Sequence, residues 1–224
     1  MDSDKHDNVV LPRMLTTLLD QHHDAYFIKG VDSTFIYANA PAARKLGLNS
    51  PSELLYKNEN DLSSHLTENK DIIKEWQWQD KQVTEFKKNI DTLEINPSTI
   101  SSPYIVKKFP FYNEINQCKG IVVYCKNIEG FAFNELFASH LSGSFLLTKP
   151  DDFFDEKESE IIFLKLQGQM SKSIARRLVS SPLDVENMLQ ELYYKAGVKH
   201  FDDFSEFCNK RNYHRYLPRR FIES

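Results

Sequence analysis

After Asp152 every apolar repeat in this 224-residue chain has the spacing of a helix, whereas before it strand-like and helix-like runs alternate. A chain divided in this way does not close around a single sheet. It predicts a mixed α+β unit followed by an all-helical one. The clearest local signal lies in the helical part, at Ser181-Pro182-Leu183-Asp184. Ser181 takes the N-cap, Pro182 the first helical position, where a missing N–H costs nothing, and Asp184 stands three residues after the cap. The helix that follows turns Val185, Met188, Leu189 and Leu192 to its buried side and stops at Gly197.

The flanking segments read as short helices of the same unit. Asp155 and Glu158 have capping-box spacing ahead of IIFLKL, which Gly168 can end; Ser171 can cap SKSIARRL, and FDDFSEFCNK forms a closing helix. The stretch SKSIARRL–VSS–PLDVENMLQELYYKAG is a helix-turn-helix by spacing. Segment 154–204 resembles the LuxR-type DNA-binding domain at Glu158, Ile161, Leu164, Gly168, Ser171, Ile174, Ala175, Leu178, Val185, Leu189, Leu192 and Gly197-Val198. The resemblance implies double-stranded DNA as a partner, with the second helix in the major groove. Its outward face offers Leu183, Glu186, Asn187, Gln190, Glu191 and Tyr194. Asn187 and Gln190 are the candidates for reading base edges, because a carboxamide pairs with adenine through two hydrogen bonds. Lys172, Arg176, Arg177, Lys195 and Lys199 are the candidates for phosphate contact, which positions a domain without specifying sequence.

Charge leaves a second reading open. The formal net charge is −4, and residues 151–224 carry 13 acids against 12 bases, so no bulk positive field favours nucleic acid. Lys210, Arg211, Arg215, Arg219 and Arg220 follow one another with no acid between them, a tail that either adds phosphate contacts or is a solvated terminus. Asp184 stands where the LuxR-type pattern usually has Thr, and Glu186 where a base is common. Carboxylates beside a phosphate backbone repel it. Asp184 has a capping role that needs no DNA; Glu186 has none. The alternative is a signalling protein whose acidic second helix contacts a protein partner, with the first unit as a dimerisation module.

In the first unit, residues 9–19 have the pattern of an amphipathic helix, with Pro12 in its first turn. YFIKG and FIYAN form a hairpin, PAARKLGL a short helix, and residues 68–88 a long helix with Ile72, Trp76, Val83 and Phe86 at helical spacing. TLEI, PYIVKKF and GIVVYCKNI are strand-like, whereas LSGSF and TKPDD read as linker. Five antiparallel strands with helices on a concave face leave room for an internal cavity. Residues 24–130 resemble a PAS domain, through FIYANAPAARKLGL, Asp80-x-x-Val83 and VKKFPFYNEINQCKGIVVYCKNI. With EWQWQDKQV, LEINP and Lys108 ahead of Pro110, the chain is similar to PAS-containing quorum-sensing regulators of the VqmA type. In that family the PAS cavity holds a small pyrazine-like autoinducer and the protein is a homodimer. The resemblance therefore implies a small-molecule signal and a homodimer here.

The expected organisation is an N-terminal helix over 1–20, a PAS sensor over 21–130, a connector over 131–152 and a helix-turn-helix unit over 153–224. Dimerisation is expected through residues 9–19, the sheet and a connector helix over 131–140. Phe35, Tyr37, Trp76, Phe86, Phe109, Phe111 and Tyr124 are candidate cavity walls, although any one of them also reads as ordinary core. Lys108 either faces the cavity, where it needs an acceptor, or points outward as an edge lysine.

No apolar run has the length of a membrane span, the opening MDSDKHDN is no signal peptide, and Cys118, Cys125 and Cys208 form no C-x-x-C pair. These features predict a cytoplasmic protein with reduced thiols and no membrane partner. Neither flavin nor haem is expected: Cys118 and Cys125 fall near late strands, and His65 reads as a surface residue. His22-His23 lacks a third ligand at metal spacing, so no metal is expected either. With seven glycines and no G-x-S-x-G, phosphate loop or H-E-x-x-H, catalysis is not expected.

Overall fold

Pro12, extended and without an amide hydrogen, stands at the N-cap of the first helix, α1 (Arg13–Asp20), so that helix starts later than the apolar pattern predicts. The computed structural model describes residues 9–64, 67–95, 103–127 and 143–221, which fall into two units, 1–144 and 145–224. The first unit continues with β1 (Ala25–Gly30), β2 (Phe35–Ala38) and α2 (Ala40–Lys45). Two 3₁₀ turns (Pro51–Glu53 and Glu59–Asp61) lead to α3 (Lys70–Phe86), then β3 (Ile90–Ile95), β4 (Tyr104–Tyr112) and β5 (Cys118–Asn127).

Asn39 organises the start of this unit. Its fully buried side chain caps α2 by accepting from Ala42 N–H and also accepts from Tyr26 N–H, each at 3.0 Å. Its amide nitrogen donates to the carbonyls of Leu19 and Asp24, each at 2.9 Å. One carboxamide thus fixes α1, β1 and α2 together with every hydrogen-bonding site in use.

The sheet runs β2-β1-β5-β4-β3-β6, where β6 is Gly143–Leu146. Five strands are expected from the sequence, and the sixth corrects the reading of LSGSF as linker. Four residues carry no useful alternation. Beside its pairing with β3, the Ser144 hydroxyl donates to Glu94 and accepts from Gln79 of α3 at 2.8 Å. The division between the units falls within β6. Helix α2 packs on β1, and α3 packs on β3, β4 and β5. The buried side of α3 is Ile73, Gln79, Asp80 and Val83, whereas Phe86 is 58% exposed. Two polar residues therefore occupy positions that the apolar pattern assigned elsewhere. The expected connector helix over 131–140 lies outside the described residues, as does His65.

The second unit contains α4 (Glu156–Leu166), α5 (Ser171–Leu178), α6 (Pro182–Ala196) and α7 (Phe201–Lys210). Asp155 and Glu158 form the capping box of α4, and Ser181 Oγ accepts from Asp184 N–H at 3.0 Å, both as the spacing predicts. Ser171 does not cap α5: Met170 holds the N-cap without a side-chain bond, and Ser171 is the first helical residue. Phe154, Ile161, Leu164, Ile174, Val185, Leu192 and Phe204 form the core of the unit. The turn between α5 and α6 passes through Val179 in the left-handed conformation, at φ 54°.

Candidate functional site

Strand parity builds a cavity in the first unit, with buried charges at its wall. Phe27 and Lys29 of β1, Tyr104, Val106 and Lys108 of β4, and Val123 and Cys125 of β5 share the inner face of the sheet. Together with Phe35, Lys45, Leu46, Glu59 and Trp76 they enclose about 60 Å³. Lys108 is 4% exposed and meets the acceptor that burial demands: its Nζ donates to Asp80 Oδ1 at 2.6 Å and to the Trp76 carbonyl at 3.1 Å. Lys29 Nζ donates to Asp80 Oδ2 and to Glu59 Oε1, and Ser33 Oγ donates to Asp80 Oδ2 at 3.0 Å. Two ammonium groups and two carboxylates thus alternate through the buried network.

Burial by itself raises a carboxyl pKa, yet the ammonium groups of Lys108 and Lys29 prevail at Asp80 and bring it down to about 2. Burial likewise opposes the Lys29 ammonium, but Asp80 and Glu59 more than compensate and hold its pKa above the usual lysine value. Glu94 differs. Burial raises its pKa, and the hydrogen bonds from Ser144 and from Thr92 (2.7 Å) offset only part of that. Burial also pushes the Cys125 thiol up to about 12, leaving it a small, protonated wall residue.

Among the residues expected to form the wall, Phe35, Trp76 and Lys108 line this cavity. Tyr37, Phe86, Phe109 and Tyr124 do not. Tyr37 donates to Asp20 of α1 at 2.6 Å, and Phe86 projects from the end of α3. Phe109 and Phe111 have the opposite parity to Lys108 in β4, and Phe109 is 38% exposed. Tyr124 lies on the outer face of β5, bonded to Asp24 at 2.7 Å and packed against Tyr26. Parity also places Lys29 inward with Phe27, and one helical turn separates Asp80 from Trp76, so the sequence held the signal for both charged residues. Glu59 and Glu94 carried no such signal, since their burial comes from elements distant in the chain.

In the second unit Asn187, Gln190, Glu186 and Asp184 are exposed on α6, opposite buried Val185, Leu189 and Leu192. Lys172, Arg176 and Arg177 are exposed on α5, and Lys199 is exposed beyond α6. Lys195 is engaged instead: its Nζ donates to both Glu158 oxygens, at 3.0 and 2.7 Å, and lies over the Phe154 ring. The basic tail folds back in the same manner. Arg211 pairs with Asp151 at 2.8 Å and Arg220 with Glu160 at 3.0 Å, while Tyr213 and Leu217 are buried. Acids distant in sequence thus pair with two arginines of this tail.

These two units define a chain with a PAS-type fold followed by a LuxR-type helix-turn-helix fold. In particular its architecture is VqmA-like. The structure of the Vibrio cholerae VqmA dimer in the absence of target DNA matches with a TM-score of 0.50 at 21% identity, over 95% of this chain and 94% of that one. A VqmA structure bound to DPO matches at 20% identity over 94% and 92%, with a TM-score of 0.48. A Vibrio cholera VqmA–ligand–DNA complex matches at 23% identity over 96% and 95%, also at 0.48. The fold assignment rests on the first. No family model matches the chain, and no curated protein matches it.

Proposed function

We propose that this chain is a ligand-responsive transcriptional regulator that acts as a homodimer and catalyses no reaction. In this reading a small molecule in the first unit's cavity controls promoter binding by the second. The observation that carries it is the face of α6: Asn187 and Gln190 stand exposed and unburdened by core packing, with Arg176 and Arg177 exposed on the preceding helix. That arrangement can offer carboxamides to base edges while cations meet phosphates. Met14 and Leu18, one turn apart on α1, are exposed apolar residues, which supports a dimer contact at the N-terminal helix. A ligand acts on DNA binding only through its different affinities for two arrangements of the dimer.

The engagement of Lys195 and of the tail arginines favours a second reading, in which Asp184 and Glu186 face a protein partner. Gel shifts on genomic fragments separate the two. Under the first reading Arg176→Ala with Arg177→Ala weakens binding to all sequences, whereas Asn187→Ala relaxes preference at one base position. No shift at all in 50 mM salt rejects the DNA reading, whereas full affinity in the double variant removes only Arg176 and Arg177 from the phosphate contacts.

A further inference from the structure

One oxygen of the buried Glu59 carboxylate is left unmet. The side chain is 5% exposed and lines the cavity; Oε1 accepts from Lys29, while Oε2 is buried with no hydrogen-bond partner among the described residues. A buried carboxylate oxygen is costly unless a donor meets it. We infer that the cavity takes a small uncharged molecule whose N–H or O–H is accepted by Glu59 Oε2. This rests on the sensor reading of the unit and adds the chemistry of its ligand.

The charge state follows from the network. Lys29 and Lys108 are matched by Asp80 and Glu59 in close ion pairs. A cationic ligand would meet three ammonium groups in the wall, those of Lys29, Lys45 and Lys108, and an anionic one would stand against the Glu59 carboxylate itself. Rings and branched side chains form most of the remaining wall: Phe27, Phe35, Trp76, Val106 and Val123. They favour a flat apolar body. Size is limiting as well, because about 60 Å³ is well below the roughly 150 Å³ of an engineered cavity that admits benzene. A five-membered ring is therefore the appropriate probe.

Pyrrole and furan are nearly the same in size and shape, but only pyrrole carries an N–H. Titrated into ¹⁵N-labelled full-length protein, pyrrole is expected to shift cavity resonances with roughly tenfold higher affinity than furan, the worth of one hydrogen bond to a charged acceptor. Formate and methylammonium are expected to leave the same resonances unmoved. In Glu59→Gln the new side chain can accept from Lys29 only through its amide oxygen, which turns the NH₂ toward the cavity, so the preference for pyrrole is expected to vanish or invert. Equal binding of the two rings by the native protein, no binding of either, or shifts caused by a charged probe each overturns the inference. Should Glu59→Gln fail to fold, the comparison on the native protein decides alone. A gel shift on the same preparation keeps the two proposals apart. DNA binding without a pyrrole preference leaves only the regulator reading, and the reverse result leaves only the cavity chemistry.

Discussion

Asp80 is the residue on which the buried network turns, since it accepts from both lysines. Asp80→Asn preserves the shape but removes the charge, leaving Lys29 with Glu59 and Lys108 with no ion-pair carboxylate among the described residues. Removing one partner of a buried pair costs roughly 3–5 kcal/mol, so the urea midpoint at pH 7 is expected to fall accordingly. The pH dependence has a definite sign. A carboxyl held at about 2 when folded, against about 3.9 when unfolded, contributes stability that is complete above pH ~4 and is lost as pH falls toward 2. The gap between native protein and variant should therefore narrow over that window; a constant gap would show that the loss is one of packing. Glu94 acts in the opposite sense. Its raised pKa means that ionisation opposes folding, and Glu94→Gln is expected to flatten a decline in stability as pH rises above about 4.3.

At the scale of the element, the turn between α5 and α6 stores a local cost. Val179 is β-branched, sits at φ 54° and is 88% exposed, so its side chain returns little packing for an unfavourable backbone. Val179→Gly is expected to stabilise the protein by about 1 kcal/mol in urea denaturation. Lower stability in the variant would mean that the valine contributes contacts which outweigh its backbone. A close approach imposes the opposite constraint in the first unit. Gly120 lies opposite Gly30 across the β1–β5 pairing, and a Cβ there would stand 1.9 Å from the Lys29 carbonyl. Gly120→Ala must spread β1 from β5 beside the buried lysine, with an expected loss of roughly 2 kcal/mol or more.

For the whole molecule the decisive quantity is how DNA affinity responds to salt. With Lys195 paired to Glu158, four candidate phosphate contacts remain in each subunit: Lys172, Arg176, Arg177 and Lys199. A dimer using all of them has a slope of log affinity against log salt near −7, or a loss on the order of 10⁴-fold between 50 and 200 mM. Filter binding across that range measures the slope. A value near zero would favour the protein-partner reading.

What the sequence determined by itself is what depends on neighbours within a few residues. The capping box of α4, the Ser181 cap and the proline at the start of α6, the glycine at its end and the outward carboxamides of Asn187 and Gln190 are all set by local backbone hydrogen bonding and helical period. The hairpin and the two long strands follow from alternation in the same way. Tertiary structure alone decided the groups whose partners lie far along the chain. Glu59 and Asp80 meet Lys29, Ser144 of the four-residue β6 meets Glu94, and Asp151 and Glu160 neutralise Arg211 and Arg220. A buried charge is tolerable only beside its counter-charge, and the position of that counter-charge is a property of the packed fold, which no local pattern encodes.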